Sequence, residues 1–504
     1  MYGMPLCRGA VLIRTRLAAW PRRLAPALLA VLCIAATLHA QTKTSSTVPV
    51  VMLSDIHFDP FHDPAKFARL REEPVSRWPA VLNVPDSPTQ AADVAALQDA
   101  CPVRGVDTPW TLLQSSLKEA RRQQPKPLFV TVSGDLTAHA FDCRVHHLAP
   151  TISAKEYSEF SAKVVAFIAF ELRQAFPGVP VYLALGNNDS GCSDYRETQD
   201  SEYLKDTARS FAGDVIDTRN RKALLREFSA EGDYSVVLPR PMQHARLIVL
   251  QDIFESKKYE SCEEKPDSAV ADVQVEWLRA QLTAARAAHE HVWVMAHIPP
   301  GIDPYATFSK NRDVCTGQKP ETFLNSGKLA DTITDFGDII KLALFAHTHM
   351  DEMRLFQATT ESSGSAVPGK LVPSISPVNG NNPAFTVARV EPGTATLKDY
   401  TVYSADNQTG IATTWKEEYN YSSTYGLPDF SAKSLATLTS EFLADKQGSS
   451  EHSHAYQDFF YVGLRAESSN AKAEAMRHLW PSYACAMTED GEAGFRACLC
   501  PAKP

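Results

Sequence analysis

Five short apolar runs in this chain each end abruptly in residues able to bind a cation. Val50–Leu53 leads into Ser-Asp55-Ile-His57, and Leu128–Val132 into Ser-Gly-Asp135. Val181–Leu185 leads into Gly186-Asn-Asn-Asp189, Val292–Ala296 into His297-Ile-Pro-Pro, and Leu342–Ala346 into His347-Thr-His349. Their length, valine content and polar ends read as buried strands. Helical patterns lie between them, at about Thr111–Arg122, Tyr157–Phe176 and Ala269–Ala288. Strands and helices alternating in this way predict a layered α/β core. Ligands of such sheets gather at the loops beyond the carboxyl ends of the strands, where these five runs deliver Asp, Asn and His. From Ala384 to Tyr403 the pattern is β without helices and reads as a sheet edge. From Ser431 onward it reads helical.

A length of 504 residues is compatible with three domains of about 150 residues or with one large enzymatic core. Hydrophobic residues at 44% and charged residues at 22% are globular values and exclude a disordered chain. The net charge is −9, and the first 40 residues contribute five arginines and no acid, so the remainder is more acidic still. Such a body is poorly suited to holding a nucleic-acid polymer by surface charge.

The first 40 residues follow the three-part grammar of a secretory signal peptide. Arg8, Arg14, Arg16, Arg22 and Arg23 precede an apolar run from Leu24 to Leu38, which ends at Ala40 before a polar stretch. That run is shorter than the roughly 20 residues a spanning helix needs. The expectation is an exported, secreted or periplasmic, soluble chain. Cysteine usage agrees: Cys101, Cys143, Cys192, Cys262, Cys315, Cys485, Cys498 and Cys500 remain after the leader. In an oxidising compartment they read as four disulfides, or three with two free thiols.

Each strand-end motif is common by itself. A D-x-H tripeptide or a Gly-Asp pair arises often by chance, and a histidine after a strand is usually a hydrogen-bonded loop residue. Five of them at successive strand ends are a different matter. Two divalent ions about 3.5–4 Å apart can clamp a phosphate and activate a shared nucleophile. They need hard carboxylate and imidazole ligands, with one carboxylate able to bridge. Asp55, His57, Asp135, Asn187, His297, His347 and His349 supply that set. His146-His147 and His452-Ser-His454 read as solvated loop residues.

In order and type these motifs resemble the calcineurin-like metallophosphoesterases, whose pattern is D-x-H, G-D, G-N-H-D/E, a lone His, then G-H-x-H. More narrowly the chain looks like the acid sphingomyelinase-like phosphodiesterases, without a saposin domain. Gly134-Asp-Leu-Thr-Ala-His139, His297-Ile-Pro-Pro-Gly301, His347-Thr-His-Met-Asp-Glu352, Asn382-Pro-Ala-Phe385 and Thr424-Tyr-Gly-Leu-Pro428 carry that likeness. The resemblance implies a catalytic domain over 41–430, a layered β-sandwich flanked by helices. Residues 431–504 would then form a helical, disulfide-stapled C-terminal subdomain.

It further implies that Asp55, His57 and His349 hold one ion and Asn187, His297 and His347 the other, with Asp135 bridging. Zinc is the expected metal, with manganese or iron as alternatives. Hydroxide activated by the two cations would attack phosphorus in line. His139 matches a histidine facing the substrate phosphate; its alternative role is to orient Asp135. Asn188 stands where the family pattern has a proton-donating histidine, and an amide can hydrogen-bond an oxyanion but not supply a proton. Ala346 replaces a glycine. The substrate expected is a small phosphodiester, either a sphingomyelin-like phospholipid headgroup or a nucleotide, with transient membrane-surface contact open to the helical tail. The alternative is a phosphoanhydride, as in an endopolyphosphatase or nucleoside polyphosphate hydrolase. An inactive metal-binding protein is the third reading.

Overall fold

The computed structural model describes residues 47–242, 244–265, 269–358, 365–462 and 476–500. The expected signal peptide lies outside them. Twelve strands occur among the described residues: β1 Val48–Leu53, β2 Val130–Val132, β3 Val181–Leu183, β4 Tyr234–Val237, β5 Ala245–Val249, β6 His291–Met295, β7 Ile340–Phe345, β8 Glu352–Phe356, β9 Val367–Leu371, β10 Ala384–Glu391, β11 Thr396–Ala405 and β12 Trp415–Asn420. They form two six-stranded sheets, ordered β12-β11-β10-β1-β2-β3 and β4-β5-β6-β7-β9-β8.

The five runs picked out by hydrophobicity are β1, β2, β3, β6 and β7. β1, β2 and β3 are mutually parallel, as are β5, β6 and β7. All five therefore point their carboxyl ends to the same edge of their own sheet. Parallel strands covered on both faces read as continuous apolar runs, which is why they stood out. In β6, Trp293 and Met295 enter the core between the sheets, while Val292 and Val294 pack beneath helices with Leu278, Leu282 and Ile333. That split follows from the two-residue period of a strand. The sheets are tied across the core by Trp293, whose Nε1 donates to Ala395 O at 2.8 Å, and by the Tyr234 hydroxyl, which donates to Leu183 O at 2.9 Å.

The three expected helices form at Trp110–Gln123, Ala154–Ala175 and Ala269–Ala287. The second starts at a capping box, Ser153 accepting from Glu156 N while Glu156 reaches back to Ser153 N. Its Phe160 and Phe167 pack against Phe61, Trp78 and Phe58 over the first sheet.

One expectation needs correction. Ala384 to Tyr403 is not a sheet edge: β10 lies between β1 and β11, and β12 takes the edge. β10 runs antiparallel to β1, so no crossover helix is required, and a helix-free segment can lie inside the sheet.

Four disulfides join Cys101–Cys143, Cys192–Cys262, Cys315–Cys500 and Cys485–Cys498. They fit an oxidising compartment. The C-terminal helices pack on the second sheet: Leu355 N donates to Met487 O at 2.7 Å, and Arg354 Nη1 to Ala486 O at 2.9 Å. Among the described residues no helix is long and apolar enough to cross a membrane.

Candidate metal centre

The seven residues singled out as ligands converge where the two sheets present their parallel strand ends. Asp55 and His57 follow β1, Asp135 follows β2 and Asn187 follows β3. His297 follows β6, and His347 and His349 follow β7. Five of the seven, Asp55, His57, Asp135, His347 and His349, have positive φ between 42° and 70°. Non-glycine residues rarely adopt that conformation, and it clusters where surrounding structure enforces a functional geometry. Two glycines allow the strand ends to approach. A Cβ on Gly186 would collide with the Asp135 carboxylate, and one on Gly134 would lie 2.8 Å from Gly186 N and from His297 Nδ1. Ala346, by contrast, keeps a negative φ, so a methyl group is accommodated where the family pattern has glycine.

Asp135 Oδ2 stands at the centre, 3.4 Å from His57 Nε2 and 3.2 Å from His297 Nε2. On one side His57 Nε2 is 3.2 Å from His349 Nε2, which is 3.5 Å from Asp55 Oδ1. On the other, Asn187 Oδ1 is 3.2 Å from His297 Nε2 and 2.9 Å from His347 Nδ1. Donors about 2.0–2.2 Å from a shared cation sit roughly 3.0–3.5 Å from one another. The residues thus fit two cations sharing Asp135. The imidazoles are oriented from behind: His57 Nδ1 and His297 Nδ1 each donate at 2.8 Å to a backbone carbonyl, of Thr137 and Ser133. That leaves Nε2 as the lone-pair nitrogen, as a metal requires.

Burial governs the electrostatics. It pushes the His57 imidazole down to about 4, with help from His139, and His347 down to about 3, with help from His297. Burial also holds His349 well below its ordinary range. These three are neutral, the form that ligates. Burial pushes the Asp55 carboxyl up to about 7. Asp135 is buried too, yet the His297 and His57 imidazoles outweigh burial and hold its carboxyl well below the usual range. The Asp135 carboxylate, 3.2 Å from His297 Nε2, in turn outweighs burial and pushes the His297 imidazole up to about 10. Carboxylates crowded into so dry a space call for positive charge, which divalent ions supply.

His139 stacks on the His57 ring with centroids 4.0 Å apart. Its Nδ1 is 2.7 Å from Asp107 Oδ1, and its backbone N donates to Asp107 Oδ2 at 3.0 Å. Burial lowers the His139 pKa, but the Asp107 carboxylate outweighs it and the net shift is upward. Nε2 is left for the cavity. Asn188 lines the cavity beside Asp135: its Nδ2 donates to Asp135 Oδ2 at 2.8 Å and its backbone N to Asp135 Oδ1 at 2.9 Å. Asp189 beside it accepts from the backbone N–H groups of Gly186, Leu136 and Thr137, and so holds the β2 and β3 loops together. The other flagged histidines lie elsewhere, His146 against Asp142 and His452 against Glu441.

The profile of the calcineurin-like phosphoesterase family matches residues 48–351, which include every one of these ligand candidates. The chain belongs to the calcineurin-like phosphoesterase family. It is similar to acid sphingomyelinase-like phosphodiesterase 3b of Homo sapiens, 26% identical over 411 residues, 78% of this chain and 80% of that protein. Cyclic GMP-AMP phosphodiesterase SMPDL3A of Bos taurus is 25% identical over 366 residues, 71% of this chain and 74% of that protein. Sphingomyelinase phosphodiesterase D of Dictyostelium discoideum is 26% identical over 329 residues, 64% of this chain and 67% of that protein. These relatives bear out the resemblance read from the motifs, and membership of this hydrolytic family makes the chain a phosphoric ester hydrolase.

Above the cluster of ligand candidates opens a cavity of about 1100 Å³. Its floor includes Asp135, Asn187, His347 and His349, with His139 and Asn188 beside them. Its walls carry exposed Arg104, Lys257 and Lys258, and the aromatic rings of Tyr195, Tyr305, Phe323 and Tyr461. Tyr461 comes from beyond the matched region. Sequence reasoning missed Asp107, Asp194 and the basic wall, because they lie in irregular loops without periodicity. The only sequence signal was proximity to cysteines: Asp107 follows Cys101, Asp194 follows Cys192, and Lys258 precedes Cys262.

Proposed function

We propose that this chain is an exported two-metal phosphodiesterase acting on small phosphodiesters of the nucleotide type. The observation that carries the reading is the placement of Asp135 Oδ2 between His57 Nε2 and His297 Nε2, at 3.4 and 3.2 Å, with a separate donor set behind each. Asp55, His57 and His349 would hold one cation and Asn187, His297 and His347 the other, with Asp135 shared. Zinc suits these ligands, as do manganese and iron. Two such ions supply Lewis-acid polarisation of the phosphoryl oxygens and a water of lowered pKa.

The chain's own residues do the rest. His139, held by Asp107 through Nδ1, offers Nε2 to the leaving oxygen as proton donor. Asn188 fixes the Asp135 carboxylate through both of its oxygens. Arg104, Lys257 and Lys258 face the cavity, with Asp194 near Lys258 and Glu321 near Lys257 in the same lining. They favour a substrate with anionic charge beyond the scissile phosphate, and the aromatic walls suit a base. A cavity of about 1100 Å³ is larger than a simple monoester needs. Together these features favour a nucleotide over a cationic choline headgroup.

The test is a hydrolysis panel on purified protein, chelated and then reloaded with zinc or manganese, with a His297→Ala control. Bis-p-nitrophenyl phosphate, p-nitrophenyl phosphate, a cyclic dinucleotide, sphingomyelin, ATP and polyphosphate are compared. The expected result is metal-dependent cleavage led by the diesters, with the dinucleotide ahead of sphingomyelin. Preference for ATP or polyphosphate would move the reading to phosphoanhydrides. Silence across the panel would overturn it.

A further inference from the structure

Two residues that line the cavity beside the cluster each approach a different ligand candidate of the same cation position. Asn187 Nδ2 donates to Asp194 Oδ1 at 2.7 Å. A carboxylate is an acceptor only, so this bond forces the NH2 of Asn187 toward Asp194 and its Oδ1 toward His297 and His347. The reversed amide would point two donors at the cation position. His347 has the mirror-image problem. Among the candidate imidazoles it faces its neighbours through Nδ1, 2.9 Å from Asn187 Oδ1. His57 and His297 face theirs through Nε2, with Nδ1 held by a backbone carbonyl. The group behind His347 is instead the Tyr195 hydroxyl, 3.5 Å from Nε2, placed to accept the Nε2 proton and leave Nδ1 free to ligate.

Asp194 and Tyr195 are consecutive, and their loop is fixed in several ways. Tyr195 has a φ of 58°, and its backbone N donates to Asn187 O at 2.9 Å. Its carbonyl accepts from Glu260 N at 3.2 Å. Two residues before Asp194, Cys192 is bonded to Cys262. Lys258 Nζ lies 4.4 Å from the centre of the Tyr195 ring. The other cation position has no such loop. His57 relies on Thr137 O, Asp55 accepts from Ser54 Oγ at 2.5 Å, and His349 Nδ1 has no hydrogen-bond partner.

We infer that Asp194 and Tyr195 are a positioning pair that loads one metal position selectively, Asp194 by setting the amide of Asn187 and Tyr195 by setting the tautomer of His347. This rests on the two-metal reading proposed above. The pair governs occupancy of the Asn187–His297–His347 position and leaves the Asp55–His57–His349 position intact.

The readout is metal content and affinity, measured on chelated full-length protein titrated with zinc, by elemental analysis and calorimetry. Wild type is expected to bind two ions per chain. Asp194→Ala and Tyr195→Phe are expected to weaken one of the two sites about 10–100-fold and leave the other within about twofold. Asp194→Asn keeps an acceptor but accepts either amide orientation, so it falls between Ala and wild type. Thermal denaturation of the metal-free variants, matching that of metal-free wild type, separates loss of a site from loss of the fold. His347→Ala is the direct-ligand control. If His347→Ala loses one ion while Asp194→Ala and Tyr195→Phe keep both at wild-type affinity, the positioning inference is overturned and the two-metal reading stands. If wild type binds fewer than two ions, or His347→Ala binds as wild type does, the two-metal reading itself falls. Equal weakening of both sites would also overturn the inference, since selectivity is its content.

Discussion

The floor and the walls of the cavity are built in opposite ways. The floor consists of mostly buried side chains at the ends of parallel strands, five of the seven ligand candidates in left-handed backbone. The walls combine the exposed Arg104, Lys257 and Lys258 with aromatic rings, of which Tyr195 and Tyr461 are buried, on segments braced by cross-links. Cys101–Cys143 ties the segment bearing Arg104 and Asp107 to the helix Phe141–Leu148. Cys192–Cys262 ties Tyr195 to Lys258, and Cys315–Cys500 ties the tail to the segment following Tyr305. A rigid scaffold that fixes the chemistry and variable loops that choose the substrate are a common division of labour. Here it implies that floor variants should damage turnover of every substrate, whereas wall variants should reorder substrates.

The strongest way to break that contrast is at its centre. Asp135→Asn removes the charge shared by both cation positions, and activity on all substrates is expected to fall about 10³-fold or more, with loss of bound zinc on elemental analysis. A variant that kept its activity would refute the role of the floor. His139→Ala comes next, with a loss of about 10²–10⁴-fold on a diester with a poor leaving group. The loss should be far smaller with p-nitrophenolate, which leaves without a proton. Equal losses on both substrates would remove His139 as the acid.

Asp107→Asn sharpens the same point from behind, lowering kcat about 10–100-fold. Asp107 favours protonated His139, so its removal lowers the His139 pKa. The alkaline limb of the pH–rate profile then moves to lower pH, and an unchanged limb would break the coupling. On the wall, Lys257→Ala with Lys258→Ala should raise KM for anionic nucleotides about 10-fold while kcat on bis-p-nitrophenyl phosphate holds, the signature of uniform binding. A fall in kcat on every substrate would erase the distinction between wall and floor. The smallest effect is expected from Ala346→Gly. The residue already has negative φ, so only about 0.5–1 kcal/mol of stability should be lost, read from denaturant unfolding.

Some of the architecture could be read directly. β1, β2, β3, β6 and β7 announced themselves because strands buried on both faces are uniformly apolar and stop sharply. The helix Ala154–Ala175 was visible through its period and lies within three residues of its expected start. β10 was misplaced because an antiparallel return leaves no crossover to mark its neighbour. The candidate ligands were legible because strand ends concentrate them into tripeptides. Asp107 and Asp194 were not: each acts on a residue far along the chain or across a loop, His139 and Asn187 respectively. Nor could spacing fix the cysteine partners, since eight cysteines pair in many ways.

The sequence by itself determined the α/β layering, the strands that end at the candidate metal-binding edge, and the residue types delivered there. These are local properties, written in apolar runs and the few residues after each. Only the tertiary structure decided that Asp135 Oδ2 faces His57 and His297 at once, that Asn188 turns onto Asp135, and that Asp107 and Tyr195 stand behind His139 and His347. Those relations depend on two sheets meeting at one edge to within a few tenths of an ångström. Packing of distant segments sets such distances, and no local pattern encodes them.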